Sequence, residues 1–208
     1  LKLLADVGVF GAPNSGKSTF VNTITQSKAK VADYPFTTTI PNLGVVFREQ
    51  TKSFVLADIP GLIEGASSGA GLGLQFLRHI QRTRLLLHFV DFSSGNIDDI
   101  EFEKNINNVE SIEKNILDVV GELRKFNAEL LQKPKWLVFT KIDLVPIEMR
   151  KKRWEKLQKK FKDDTVFFIS SHSSEGIENI ISKISDWVSN ENKNQASSAE
   201  YDVRFKKS

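Results

Sequence analysis

The chain has 208 residues, 40% of them hydrophobic and 26% charged, with a formal net charge of +3. This is the composition of a globular domain with a core of its own. So small a positive surplus does not argue for nucleic acid by itself, and no sequence-specific DNA binding is expected. The absence of cysteine excludes disulfides, thiol catalysis and zinc–thiolate sites, and fits a reducing compartment such as the cytoplasm. The longest apolar run, Leu85 to Val90, is far too short to span a bilayer, so no membrane span is expected. The chain opens on Leu1 rather than Met and shows no signal peptide, as a piece of a longer protein would.

In chain order, LADVGVF (4–10) is an apolar run that ends at Gly11 and predicts a buried strand. STFVNTITQ (18–26) predicts a helix. VVFRE (45–49) and SFVLAD (53–58) predict two strands of a hairpin. A glycine-rich stretch follows, with five of the twelve glycines between Asp58 and Gly73. FLRHIQR (76–82) reads as helical and LLLHFVD (85–91) as a buried strand. Residues 98–130 carry Ile106, Val109, Ile112, Ile116, Val119 and Leu123 at helical spacing, which predicts one long amphipathic helix or two. KWLVFTK (135–141) is strand-like. IEMRKKRWEKLQKKF (147–161) is a basic helix with Trp154, Leu157 and Phe161 on one side. TVFFIS (165–170) is a strand and GIENIISKISDWVS (176–189) a closing helix. The chain then turns polar, so a domain over 1–190 and a polar tail or linker over 191–208 are expected. Six strands alternating with helices predict an α/β domain. Its sheet should be mostly parallel, with ligands bound beyond the carboxyl ends of its strands.

The motifs fall at those ends. GAPNSGKS matches G-x-x-x-x-G-K-[ST] between a predicted strand and a predicted helix. The loop Gly11, Ala12, Pro13, Asn14, Ser15 and Gly16 would cradle phosphate with the backbone N–H groups of all but Pro13, which has none, and Thr19 stands beside it among the candidate nucleotide-binding residues. Lys17 would bring charge to β- and γ-phosphates, and the Ser18 hydroxyl would ligate Mg2+. Asp58, ending a strand, offers a further carboxylate for that ion. Gly61, after Ile59 and Pro60, offers an N–H to a γ-phosphate whose loss would release the loop. DYPFTTTIPNLG (33–44) contains Thr37, Thr38 and Thr39 between two prolines, and reads either as a Mg2+ and γ-phosphate shell or as a β-prone polar edge.

FTKID (139–143) resembles the N/T-K-x-D motif of GTP-binding proteins. The Asp143 carboxylate would accept from the ring N–H and exocyclic amino group of guanine. Adenine lacks both donors, which argues against an ATPase. The Lys141 stem would cover the base face. Thr140 stands where Asn is commoner, which is expected to loosen contact with the phosphate loop. ISSHS (169–173) places Ser170, Ser171 and His172 at the next strand end, where backbone could meet the guanine oxygen. His172 reads as a surface loop residue rather than a catalyst.

Together GAPNSGKST, VADYPFTTTIPNLGVV, the run from LADIPGLIEGA through GLGLQFLRHIQRTRLLLHFVD, and FTKID resemble the Obg family of GTPases, and bacterial-type Obg more closely than Drg or Ola-type relatives. The resemblance covers about residues 1–190. It implies a Ras-like P-loop G domain with a mostly parallel six-stranded sheet and helices on both faces. It further implies binding of GTP and GDP with Mg2+, and slow hydrolysis. Ser18 and Thr38 are the implied Mg2+ ligands, with Asp58 acting directly or through water. Phe36 to Ile40 form the implied first switch and Asp58 to Gly61 begin the second. Thr140 to Asp143 read guanine, beside Ser170 to His172. The family is associated with large ribosomal subunit assembly, the stress response and ppGpp. The family's glycine-rich N-terminal domain is not among these 208 residues, so ribosome docking is expected to lie elsewhere.

Leu62 occupies the position where Ras-like proteins carry a water-orienting Gln. Slow turnover is therefore expected, or water positioning by other means. K+ held partly by Asn14 is one candidate, set against Asn14 as a local turn residue. Glu64 is another polar group in the loop, and Arg78, Arg82 and Arg84 follow it, most simply as solvated charges. A nucleotide-sensing module that hydrolyses GTP only to reset itself stays open as an alternative.

Overall fold

The structure is a computed structural model that describes residues 5–28, 42–49, 52–58, 83–94, 109–126 and 128–204. Six strands form one sheet: β1 (Val7–Gly11), β2 (Asn42–Glu49), β3 (Lys52–Asp58), β4 (Leu85–Asp91), β5 (Lys135–Thr140) and β6 (Thr165–Phe168), in the order β2-β3-β1-β4-β5-β6. β1 lies parallel to β3 and to β4, and β4–β5 and β5–β6 are parallel too. Among the described residues only β2 runs antiparallel, as the hairpin partner of β3. The helices are α1 (Lys17–Lys28), α2 (Glu110–Phe126), α3 (Ile147–Phe161) and α4 (Ile177–Arg204), with short 3-10 turns at Ala128–Gln132 and Ile142–Leu144. The expected helix over 76–82 lies outside the described residues.

β4 shows why the central strands read as continuous apolar runs. Leu85, Leu87 and Phe89 face one layer, where Phe20, Val21 and Ile24 of α1 and Ile177, Ile180, Ile181 and Ile184 of α4 pack. Leu86 and Val90 face the other, where α2 and α3 supply Ile112, Ile116, Val119, Leu123 and Leu157. A strand buried on both faces has no room for polar alternation. α2 buries Ile112, Ile116, Val119 and Leu123 at spacings of three and four and leaves Leu117 62% exposed. Glu110 and Glu113 in its first turn and Arg124 and Lys125 in its last complement the helix dipole.

One boundary differs from the sequence reading. α4 runs on to Arg204, through the stretch read as a polar tail. That stretch is poor in large apolar residues, but no proline or glycine interrupts it. Arg84, just before β4, pairs with Asp6 at 3.9 Å and donates to the Asn192 side chain of α4. It sits at the amino ends of the parallel strands, opposite the motif-bearing edge, so it is no neighbour of the phosphate loop. Among the described residues no helix is long and apolar enough to cross a membrane.

His88 is the polar exception inside β4. It is 1% exposed, and its ring stacks on Phe10 at 4.7 Å between centroids. Burial, helped by the charges of Lys135 and Lys17, pushes its pKa down from 6.5 to about 3. The unfolded chain therefore takes up this proton as pH falls below about 6.5, while the folded chain stays neutral to about 3. Folding stability from this group is present above 6.5 and is lost as pH falls through that window. The difference in unfolding free energy between the parent and His88→Leu is expected to shift by about 3 kcal/mol from pH 7 to pH 4.5. Urea denaturation at both pH values measures it, and parallel pH profiles for the two proteins would contradict it.

Candidate functional site

β1 delivers the chain to Gly11, whose φ of +150° favours glycine and where a Cβ would come within 2.2 Å of the Phe89 carbonyl oxygen. The chain then turns through Asn14 (φ 59°) and Gly16 (φ 88°) into α1. Asn is one of the few side chains that tolerate that left-handed conformation. Phe20 N–H makes the first helical bond, to Gly16 O at 2.9 Å. The N–H groups just before it have no partner within the helix, and α1 has no acidic residue in its first turn. The result is a helix start suited to an anion.

Exposure sorts the loop. Ser15 and Lys17 are buried, whereas Pro13, Asn14, Ser18 and Thr19 are exposed, and Ala12 and Gly16 are half-buried. The Lys17 ammonium folds back over the loop and donates to Gly11 O at 3.0 Å, Ala12 O at 2.7 Å and Ser15 Oγ at 3.4 Å. Burial pushes its pKa below the ordinary lysine value, with Asp58 opposing that shift. A buried cation held by neutral carbonyls is stabilised by an anion placed beside it.

Asp58 ends β3, in register with Val9. Its Oδ2 accepts from Ser18 Oγ at 2.8 Å, joining positions forty apart in sequence. Asp58 is 4% exposed, and its Oδ1 has no hydrogen-bond partner among the described residues. A buried carboxylate oxygen without a donor, beside a hydroxyl, is an all-oxygen donor set of the kind Mg2+ takes. The residues present therefore fit that ion.

At the end of β5, Thr140 is 3% exposed, and its Oγ1 lies 2.8 Å from Ser15 O and 3.2 Å from Val90 O. The substitution of Thr for Asn does not sever contact with the phosphate loop. The shorter hydroxyl reaches the loop's carbonyl directly. Lys141 adopts a left-handed conformation (φ 57°) and leads into the 3-10 turn that carries half-buried Asp143. Lys141 Nζ pairs with Asp91 Oδ2 at 2.7 Å. Ile142 N donates to Ile169 O at 3.4 Å, which sets the 170–172 loop against the 140–143 loop. In that loop Ser170 is buried, with its Oγ accepting from Ser173 N at 3.0 Å. Ser171 is half-buried and His172 is exposed. Asn14, Gly16, Lys17, Ser18, Thr19 and Lys141 together line a cavity of about 330 Å³, within the size range of small-molecule sites.

Phe36, Thr37, Thr38, Thr39, Ile40, Ile59, Pro60 and Gly61 lie outside the described residues, as do Leu62, Glu64, Arg78 and Arg82. Sequence reasoning missed Asp91 and Arg153. Asp91 closes the apolar run LLLHFVD, where it reads as a strand terminator. Arg153 reads as one more charge on a basic helix, yet it is 2% exposed. Its guanidinium donates to Phe92 O and stands 5.9 Å from the Phe92 ring centroid. The signal was present, since Arg153, Leu157 and Phe161 follow one another at intervals of four along one face of α3.

A six-stranded, mostly parallel sheet with a phosphate loop at β1 and a T-K-x-D turn at β5 defines a Ras-like P-loop G domain. Residues 6–141 match the family model described as 50S ribosome-binding GTPase, and the chain belongs to that family. It is accordingly a GTP-binding GTPase domain, of a kind that generally uses Mg2+ with the nucleotide. Among solved structures it resembles a point variant of Aquifex aeolicus Era bound to GDP·AlF4−, at 19% identity and TM-score 0.58 over 89% of this chain and 57% of that one. Era in complex with MgGDPNP and nucleotides 1506–1542 of 16S ribosomal RNA gives 22% identity and TM-score 0.59, again over 89% and 57%. The G domain of the T. maritima FeoB iron transporter gives 24% identity and TM-score 0.55, over 87% of this chain and 96% of that one. The likenesses carry the shared fold, and this chain spans little more than half the length of the Era chains.

Thr140→Val removes the hydroxyl at nearly constant shape and leaves the buried carbonyl of Ser15 without its side-chain donor. It is expected to lower folding stability by about 1–3 kcal/mol, read by chemical denaturation in the absence of nucleotide.

Proposed function

We propose that this chain is the G domain of an Obg-type GTPase, a slow Mg2+-dependent switch acting in large ribosomal subunit assembly and stress response. The observation that carries the nucleotide chemistry is the Ser18–Asp58 pair at 2.8 Å beneath the phosphate loop. Two oxygen ligands from separate motifs meet where the β- and γ-phosphates would lie. In this reading residues 11–19 bind the phosphates and Lys17 neutralises them. Ser18, Thr38 and Asp58 hold Mg2+, which supplies charge neutralisation at the phosphate oxygens. Phe36 to Ile40 and Asp58 to Gly61 respond to the γ-phosphate. Thr140, Lys141 and Asp143 read guanine, with Ser170, Ser171 and His172 beside it.

Support for the Obg assignment is the long stretch DIPGLIEGASSGAGLGLQFLRHIQRTR. The ribosomal subunit as partner has support from the description of the family as 50S ribosome-binding. The G domain is assigned to 1–190 and a polar tail to 191–208, a cytoplasmic location fits the absence of cysteine, and ppGpp is a candidate ligand of the same pocket. The Leu62 side chain cannot hydrogen-bond a water, which supports slow intrinsic turnover. It also supports a nucleotide sensor in which hydrolysis only resets the state. Single-turnover hydrolysis with and without 50S subunits separates the two, because a sensor would show no acceleration.

Asn14 lines the cavity next to Lys17 and Ser18, a position from which its side-chain oxygen could face K+ beside the phosphates. Steady-state turnover is expected to be faster in KCl than in NaCl of equal ionic strength, and equal rates would remove K+ from the mechanism. Asp143→Ala is expected to weaken GTP at least about 100-fold while leaving ATP as poor a ligand as before, since only guanine offers two donors to that carboxylate. Competition against a labelled nucleotide measures both.

A further inference from the structure

Both ends of the Lys141 side chain are fixed. At its base the backbone is held in the left-handed region, at φ 57° and ψ 34°, a conformation a non-glycine residue keeps only where its surroundings impose it. At its tip Nζ meets Asp91 Oδ2 at 2.7 Å, with the two side chains 34% and 20% exposed. Asp91 is itself immobilised. Its Oδ1 accepts from Ser93 N at 2.9 Å and from Ser93 Oγ at 2.6 Å, and its carbonyl accepts from Ser94 Oγ at 2.9 Å. The next residue, Phe92, donates its N–H to Thr140 O at 3.0 Å and accepts from the buried Arg153 guanidinium through its own carbonyl. A chain of contacts thus runs from α3 through Arg153, Phe92 and Asp91 to Lys141 on the cavity wall.

We propose that Asp91 is a positioning residue for nucleotide binding. It holds the Lys141 stem stretched along the cavity wall before the base arrives, with Arg153 of α3 anchoring the strand end from which Asp91 projects. A free lysine stem loses rotamer freedom when it is laid over a base, and one already held loses less. The ion pair therefore contributes to affinity without touching the nucleotide. Because Lys141 covers the ring face rather than its edge, the contribution is blind to the group at C2 of the purine.

The inference rests on the guanine reading above, and one set of titrations separates the two. GDP and IDP, which differ only in the exocyclic amino group, are titrated into the 208-residue chain by calorimetry. Asp143→Ala should weaken GDP more than IDP, and equal effects would overturn the guanine reading and this proposal with it. Asp91→Asn should weaken GDP and IDP by the same factor, about tenfold. In a Lys141→Ala background, Asp91→Asn should cost less than about threefold more, because nothing is left to position. Arg153→Met should weaken both nucleotides, and Arg153→Lys, which keeps a donor and a charge beside Phe92, should restore most of the loss. Unchanged affinity in Asp91→Asn would overturn the proposal. So would a tenfold loss that persists in the Lys141→Ala background, which is what a general structural defect produces.

Discussion

The hydroxyl of Thr140 and the carbonyl of Ser15 stand 125 positions apart in sequence and 2.8 Å apart in space. That contact joins the two loops that make the site. One grips phosphate through its backbone, and the other carries the side chains suited to a purine. Neither is a regular element, and each is held by what it borrows from a neighbour. The phosphate loop rests on Thr140 from below and on the Lys17 ammonium from within. The 140–143 loop is stitched to β4 through Phe92 and to the following strand end through Ile169. Parallel pairing of β3, β1, β4, β5 and β6 makes these exchanges possible. It brings Asp58, Gly11, Asp91 and Thr140 to the same edge of the sheet. A ligand there meets four strand ends at once, which is the general advantage of this architecture.

The electrostatics of that edge are those of a site waiting for negative charge. Lys17 is buried and held mainly by neutral groups, so its ammonium is destabilised relative to water. Asp58 opposes that only in part, and a phosphate would complete the balance. Arg153 repeats the arrangement away from the pocket, where burial lowers the pKa of the guanidinium and Asp91 opposes the shift. The two carboxylates differ in what surrounds them. Asp91 has both oxygens engaged, which suits a fixed structural post. Asp58 keeps Oδ1 without a protein donor among the described residues, which suits a ligand for a metal ion.

The strands, their order of appearance and the two site loops were legible because each depends on local pattern. LLLHFVD and KWLVFT are buried on both faces and therefore read as unbroken apolar runs. GAPNSGKS and FTKID are compact, and their backbone demands restrict which residues fit. Three features went unread, each for a physical reason. The spacing of Arg153 with Leu157 and Phe161 shows which face of α3 it lies on, but the carbonyl acceptor that lets it be buried stands 61 positions away. Asp91 marks a strand end in any sequence, and only the fold shows that Lys141 bonds to it. The helix through 191–204 has no regular apolar stripe in its sequence to signal it, and it continues a helix already begun at Ile177. The first switch and most of the second fall outside the described residues, so Thr38, Gly61 and Leu62 stand on sequence alone.

The two glycines of the phosphate loop divide the tolerance of that loop to change. At Gly11 any side chain would drive its Cβ to within 2.2 Å of the Phe89 backbone, where nothing flexible can yield. At Gly16 the nearest atom to an added Cβ is Thr140 Cβ at 3.6 Å, an ordinary contact, and the obstacle is the φ of 88° alone. A library of variants sorted by activity would find both positions closed and would not say why. Sorted first by soluble yield and then by binding, position 11 would vanish at the first step and position 16 would persist to the second. The same short loop thus holds one position whose side-chain identity is a condition for assembling the sheet, and another where it is a condition for the loop to present its amides to an anion.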